Sequence, residues 1–296
     1  MASSRSLRWW VLLAFVAGVA ALRWAQTSSP PPKENSRVLL FAPNLNEAAV
    51  VLGYGDRIAG VTDYCIWPDS LLSRPRIGGI LNPNLERILS LDPGLLVLQG
   101  QNTTLRNFAR REGIAVANVD MDRDLASIFA GLLRLDAVLG GKESTRGRTV
   151  VDSLRQRLEA WHSPETRDTR PTVLLVLGHR AGSLQQLLVV GPGTYLQDLV
   201  GWVGGEPVPD DGSAYRNLSL EALVADPPDV ALDLRPGSQA READRREFEA
   251  AWRRLGIEST QVEIVDFAGV LVPGPRVDQT ARALRQALLA ALGNSR

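Results

Sequence analysis

Short continuous apolar runs alternate with stretches in which apolar positions recur every three or four residues, and this alternation holds from Arg37 to Leu292. The runs read as buried strands and the periodic stretches as amphipathic helices. In the first half the expected strands are Val38–Ala42, Ile58–Val61, the run ending at Leu98, and Gly113–Asp120. The expected helices are one capped by Asn44 and running to Leu52, and another over Thr103–Glu112. Leu125–Leu139 is helical in spacing, Gly140 and Gly141 interrupt it, and a second amphipathic stretch runs from about Lys142 to Trp161. The second half offers strands at Thr172–Leu177 and Val262–Asp266, with helices at Tyr195–Val203, around Trp252, and over Asp278–Leu292. Strands and helices in alternation predict an α/β fold with mainly parallel sheets covered by helices.

One unit of this pattern occurs twice. Ser219–Leu232, SLEALVADPPDVAL, falls without gaps on the stretch from Asn84, matching Leu85 with Leu220, Glu86 with Glu221, Ile88 with Leu223, Leu89 with Val224 and Pro93 with Pro228. Each copy reads as an N-cap, a short helix, a proline that stops it and a buried strand. Two sibling lobes follow from the duplication. The stretch Lys142–Trp161 has no strand partner in the pattern and reads as a rod of about 30 Å between them. A stiff rod of that kind opposes large hinge closure. Acidic first turns are ordinary. A glutamate at the matched position of both copies, Glu86 and Glu221, gives each lobe one acidic knob, suited to a partner that is itself two-fold and basic.

At 296 residues, with 45% hydrophobic and 22% charged side chains, the chain is long enough for two domains. A formal net charge of zero gives no electrostatic case for nucleic acid. Cys65 is the sole cysteine, and His162 and His179 are the sole histidines, which argues against disulfides and against a zinc site. Residues 1–26 have the form of an export signal: Arg5 and Arg8, an apolar core from Trp9 to Leu22, and small residues Ala20 and Ala21 at its end. An uncleaved amino-terminal anchor is the alternative. Residues 27–36, with three consecutive prolines, read as a solvated linker. The expected organisation is then a first α/β lobe over 37–124, connecting helices over 125–162 and a second α/β lobe over 171–296, working outside the cytoplasm.

Candidate chemistry is sparse. Gly191-Pro192-Gly193-Thr194 lacks the lysine and glycine spacing of a phosphate-binding loop and reads as a plain turn. No Gly-x-Ser-x-Gly elbow exists, and no enzyme activity is expected. His179 with Arg180 follows a predicted strand, where α/β folds bind ligands, although an exposed loop histidine is the plain alternative. Tyr64, Trp67 and Tyr215 read as loop residues at predicted strand ends in both halves, where flat side chains suit a bulky, partly apolar guest, although loop aromatics are often peripheral core. Trp202 and Trp252 fall at helical positions and read as packing.

Six segments taken in order, Gly60–Cys65 with Pro68, Gly78–Glu86, Gly191–Gly193, Gly204–Glu206, Ser219–Glu221 and Pro273–Arg276, resemble one family over most of the chain. It is the family of ABC-importer substrate-binding proteins that carry two Rossmann-like α/β lobes on one long backbone helix, the cobalamin, siderophore and haem receptors, and the wording is most similar to the cobalamin-type branch. The resemblance implies that Tyr64 and Tyr215 flank a ligand, and the expected ligand-binding set is completed by Trp67, Asn82, His179, Leu271 and Arg276. It also implies that Glu86 and Glu221 dock onto arginines of a permease dimer with its ATPase. The expected guest is cobalamin or a related corrinoid, a small-molecule metal chelate, with haem or a ferric siderophore as the alternative. No resident cofactor is expected, and the receptor is expected to be a monomer. Ile80 and Gln99 depart from the tryptophans of well-known cobalamin receptors, and Val270–Val272 is apolar where polar contacts are expected. A membrane-tethered sensor that binds no solute is a third reading, and an enzyme with a metal cluster on the same scaffold is opposed by the single cysteine.

Overall fold

The computed structural model describes residues 36–164, 170–180, 182–237 and 242–293. The export-like segment 1–26 and, apart from Ser36, the linker 27–36 lie outside the described residues. In chain order the first lobe comprises β1 (Val38–Leu40), α1 (Pro43–Val51), β2 (Ile58–Gly60), α2 (Leu85–Ser90), β3 (Leu95–Leu98), α3 (Thr103–Arg111) and β4 (Ala115–Asn118). Helices α4 (Leu125–Gly140) and α5 (Arg146–Glu159) follow. The second lobe comprises β5 (Thr172–Gly178), β6 (Leu187–Val190), α6 (Tyr195–Trp202), β7 (Glu206–Val208), β8 (Tyr215–Leu218), α7 (Leu220–Ala225), β9 (Val230–Leu234), α8 (Glu242–Arg253), β10 (Gln261–Val265) and α9 (Val277–Gly293).

The duplicated unit folds twice as its residues dictate. Asn84 accepts from the Arg87 N–H at 2.9 Å, and Ser219 accepts from the Ala222 N–H at 3.1 Å. Each six-residue helix buries one aliphatic residue, Ile88 in α2 and Leu223 in α7. The strand after each is fully buried and lies inside a sheet, β3 between β1 and β4, β9 between β5 and β10.

The sheets are separate: one has the order β2-β1-β3-β4, all parallel, and the other contains β10-β9-β5. β5 is seven residues long and its free edge is shared. Thr172–Leu174 pairs parallel with β7, whereas Val176 and Gly178 pair antiparallel with β6, which in turn pairs antiparallel with β8. The second lobe is thus the frame of the first, β10-β9-β5-β7 answering β4-β3-β1-β2, with an antiparallel β6–β8 pair added. Tyr215, expected in a loop, is the first residue of β8.

Alternate residues along each strand face opposite layers. Leu39, Phe41, Leu96 and Leu98 belong to an apolar cluster of the first lobe, and Leu174, Val176 and Ala231 to one of the second. Val38, Leu40 and Val97 instead join Val173, Leu175 and Leu232 in one cluster that runs through both lobes. The bridge is a pair of helices rather than the rod expected over Lys142–Trp161. Gly141, at φ 83°, closes α4, and α5 begins only at Arg146, so it is 14 residues and about 21 Å long. The 16-residue α4, started by a capping box between Asp124 and Ser127, packs on α1 of the first lobe and α6 of the second. α5 packs beside α4 and on α9.

Candidate functional site

A cavity of about 300 Å3 opens where the first sheet's strands end. Phe41, Ala42 and Pro43 carry β1 into α1, Gln99 and Gly100 follow β3, and Thr62, Tyr64, Ile80 and Asp122 come from the loops beyond β2 and β4. Carboxyl ends of parallel strands are where open α/β sheets hold ligands, because backbone and side chains there converge on a crevice. Of the lining residues, Asp122 alone is charged.

Tyr64 is 71% exposed on the rim. A Cβ on Gly79 would lie 2.6 Å from the Asn82 Oδ1 and 3.3 Å from the Tyr64 ring, so glycine there lets these two expected ligand residues sit side by side. Neighbouring Leu81 is 94% exposed. Tyr215, from the second lobe, is half exposed, and its phenol is pushed up first by burial and then by the negative charge of Asp122. Asp122, which lines the cavity that Tyr64 flanks, is thus within electrostatic reach of the second lobe's tyrosine. Leu271 is also partly exposed, and the preceding Val270 carbonyl accepts from the Tyr195 hydroxyl at 2.7 Å.

Arg276 does something other than line this opening. It is buried, and its guanidinium makes a two-pronged ion pair with Glu47 of α1, the Nε donating to Oε2 at 2.9 Å. The cation lies 4.5 Å from the Trp67 ring centroid and 5.5 Å from that of Phe267. Trp67 and Arg276, expected to touch ligand, thus belong to a joint between lobes. Burial pushes the Glu47 carboxyl up, against the opposing pull of the Arg276 hydrogen bonds and charge. Asn44 reinforces the joint by donating from Nδ2 to the Pro273 carbonyl at 3.1 Å. The expected cap of α1 is accordingly inside the helix, which starts at Pro43.

His179 is likewise packed away from the opening. Its ring stacks on Phe248 at 5.0 Å and 20°, and Nε2 lies 3.4 Å from the Asp233 Oδ2, an oxygen that also accepts from Arg235 at 2.7 Å. Hydrogen bonding to Asp233 is the main cause that raises the imidazole pKa. Gly191–Thr194 is a helix start with two of its donors used within the protein: the Gln197 N–H reaches the Thr194 hydroxyl, and the Tyr195 N–H reaches the Arg123 carbonyl at 2.5 Å. Trp252 is buried in the core, and Trp202 donates from Nε1 to the Leu158 carbonyl at 2.9 Å.

Glu86 and Glu221 are both exposed in the first turns of α2 and α7, and the residues three positions on, Leu89 and Val224, are 45% and 51% exposed. Three residues on is the same side of a helix, so each lobe shows a carboxylate next to an aliphatic side chain. The expected set omitted Thr62, Gln99 and Asp122. Gln99 and Asp122 fall just past β3 and β4, a placement readable from the strand pattern by the rule that located His179. Among the described residues no group of three or more histidine, cysteine, aspartate or glutamate side chains could hold a metal ion, and no helix is long and apolar enough to cross a membrane.

Residues 45–244 match the family model described as periplasmic binding protein. The chain is 20% identical over 263 residues to an uncharacterized ABC transporter substrate-binding lipoprotein of Bacillus subtilis, covering 86% of this chain and 81% of that protein. It is 22% identical over 205 residues to the vitamin B12-binding protein of Vibrio cholerae, covering 69% and 71%. A solved periplasmic heme binding protein of Pseudomonas aeruginosa superposes with a TM-score of 0.69 at 26% identity, covering 86% and 92%. Two separate sheets on a shared helical bridge, a crevice at the strand ends and a matched family model place the chain in the periplasmic binding protein family of ABC-importer substrate-binding proteins.

Proposed function

We propose that the chain is an extracytoplasmic receptor that captures a corrinoid, cobalamin or a close relative, between its lobes and hands it to an ABC permease. The observation that carries this reading is an opening at the strand ends of the first lobe, lined by Tyr64 and by a single charge, Asp122, with Tyr215 of the second lobe within electrostatic reach of that charge. Two exposed aromatic rings favour a broad guest with apolar faces. A carboxylate with no cation among the lining residues favours a neutral or cationic guest over an anionic chelate. The vitamin B12-binding relative is in keeping with this choice.

Haem is the second reading, supported by the heme-binding structural relative and by the accessible Tyr64 phenol, a side-chain type that ligates haem iron. Calorimetric titration with cobalamin, dicyanocobinamide, haem and a ferric siderophore separates the two. Micromolar or tighter binding of the corrinoids is expected. Haem binding without corrinoid binding would shift the assignment to the second reading, and binding of none of the four would remove the ligand class.

Glu86 with Leu89 and Glu221 with Val224 form the docking knobs in this reading, one for each subunit of a permease dimer whose matching surface is basic and apolar. The protein acts as the carrier of that assembly, and the ATPase beneath the permease drives release.

A further inference from the structure

The polarity of the cavity wall at Gln99 is set by a chain of hydrogen bonds that begins in the other lobe. The Pro273 carbonyl can only accept, so the Asn44 atom 3.1 Å from it is the amide nitrogen. The opposite end of the same amide, Oδ1, accepts from the Leu45 N–H at 3.0 Å, which agrees. Asn44 is 3% exposed, so these neighbours leave its amide one orientation. Its nitrogen also donates to the Gln99 side chain at 2.9 Å, and a donor must meet the Gln99 oxygen. The Gln99 Nε2 is then the remaining end. It has no hydrogen-bond partner among the described residues, and the side chain lines the cavity.

The wall after β3 thus offers N–H donors, while Asp122 supplies the one charge of the lining, and that charge is negative. A donor asks for an acceptor, and a neighbouring carboxylate disfavours an acceptor that is itself anionic. We infer that Gln99, held in one orientation by Asn44 and opposed by Asp122, selects a guest whose edge presents neutral carbonyl oxygens, the carboxamides of an amidated macrocycle, and discriminates against the same edge bearing carboxylates. This rests on the reading of the cavity as the ligand site and assigns that site its chemistry. Asn44 is a positioning residue in it, and Gln99 is a ligand contact.

The test uses two probes with one ring: dicyanocobinamide, whose periphery carries amides, and dicyanocobyrinic acid, whose periphery carries carboxylic acids. Calorimetry on the wild-type protein should give at least about tenfold tighter binding of the amide form, the scale of one well-formed hydrogen bond. Gln99→Glu keeps an oxygen for Asn44 and replaces the free nitrogen by a second oxygen. It should weaken dicyanocobinamide by about tenfold or more, with an unchanged thermal midpoint. Asp122→Asn should narrow the preference by strengthening dicyanocobyrinic acid. Gln99→Leu guards against an unfolded glutamate variant and should also weaken the amide probe. If dicyanocobinamide binds the wild type and both Gln99 variants alike, the inference fails and the receptor reading stands. A wild-type preference for the acid form overturns the inference as well. If the wild type binds neither probe, both the inference and the corrinoid reading are overturned.

Discussion

Removing the cation from the Glu47–Arg276 joint tests whether the lobes are locked as the structure shows. Arg276→Met keeps most of the side chain's length and its packing between Trp67 and Phe267 while deleting the charge. Glu47, 1% exposed, then faces an apolar chain with no partner of opposite sign. Breaking a buried pair by removing one member costs about 3–5 kcal/mol, because the survivor keeps its desolvation penalty and loses its compensation. One apolar cluster passes through both lobes, so they should melt together. Taking about 260 folded residues at about 2.1 cal/mol/K each gives an unfolding entropy of about 0.55 kcal/mol/K. The expected fall in Tm is then about 5–9 °C, read by circular dichroism or calorimetry. Glu47→Leu combined with Arg276→Met should recover most of it, since no charge is left stranded. A single variant that melts within about 2 °C of wild type, or a double variant that loses as much as the two singles together, would refute the reasoning.

Tyr64→Ala and Tyr215→Ala should each weaken corrinoid binding by about tenfold with little change in Tm, because both rings are exposed; calorimetric titration with a thermal melt checks this. His179 is held above its ordinary pKa of 6.5 by Asp233, so the stability it contributes is complete below that value and disappears as pH rises through the higher folded value. The stability difference between wild type and His179→Asn, followed by denaturant melts across that range, should therefore shrink toward alkaline pH; a difference that grows would contradict the pairing. Charge reversal at Glu86 and Glu221 together should abolish uptake by permease vesicles while leaving ligand affinity intact, and unchanged uptake would remove the docking assignment. Because the joint and the helical bridge tie the lobes at several points, the radius of gyration in solution scattering should change by no more than about 1 Å on ligand binding.

Local signals made much of this fold readable. The caps Asn84 and Ser219, the prolines Pro93 and Pro228 and the apolar runs after them lie within a few residues of what they control, and the duplicated unit folds as its pattern indicates. The two-residue glycine interruption at Gly140–Gly141 marked the boundary between bridging helices, but α5 starts at Arg146 because the intervening turn is polar and solvated rather than helical. What pattern could not reveal is pairing at long range. Glu47 and Arg276 are 229 positions apart, and so are Asn44 and Pro273, so nothing near either residue names its partner. An arginine in a Pro-Gly-Pro-Arg turn reads equally as a ligand contact or a buried ion, and only the position of Glu47 decides. Tyr215 misleads for a related reason: β8 exposes alternate residues and pairs at an edge, so its composition resembles a loop.

The places where the two copies agree and where they differ divide the work of the molecule. α2 and α7 have the same length, the same cap position, a buried aliphatic at the same position and a carboxylate–aliphatic pair at matched exposed positions. In the docking we propose, a partner made of two equivalent subunits requires that sameness, since each lobe must present one shape to one subunit. A single guest lying between the lobes makes no such demand. At the strand ends the copies diverge: the first lobe opens a cavity with Gln99 and Asp122, and the second adds β6 and β8 and brings Tyr215 toward Asp122. The joint beneath them links Asn44 both to Pro273 and to Gln99, so the contact that fixes the lobes also fixes which end of an amide faces the cavity. Selectivity in such a frame comes from side chains set before the ligand arrives, because a tied pair of lobes has little closure left with which to discriminate.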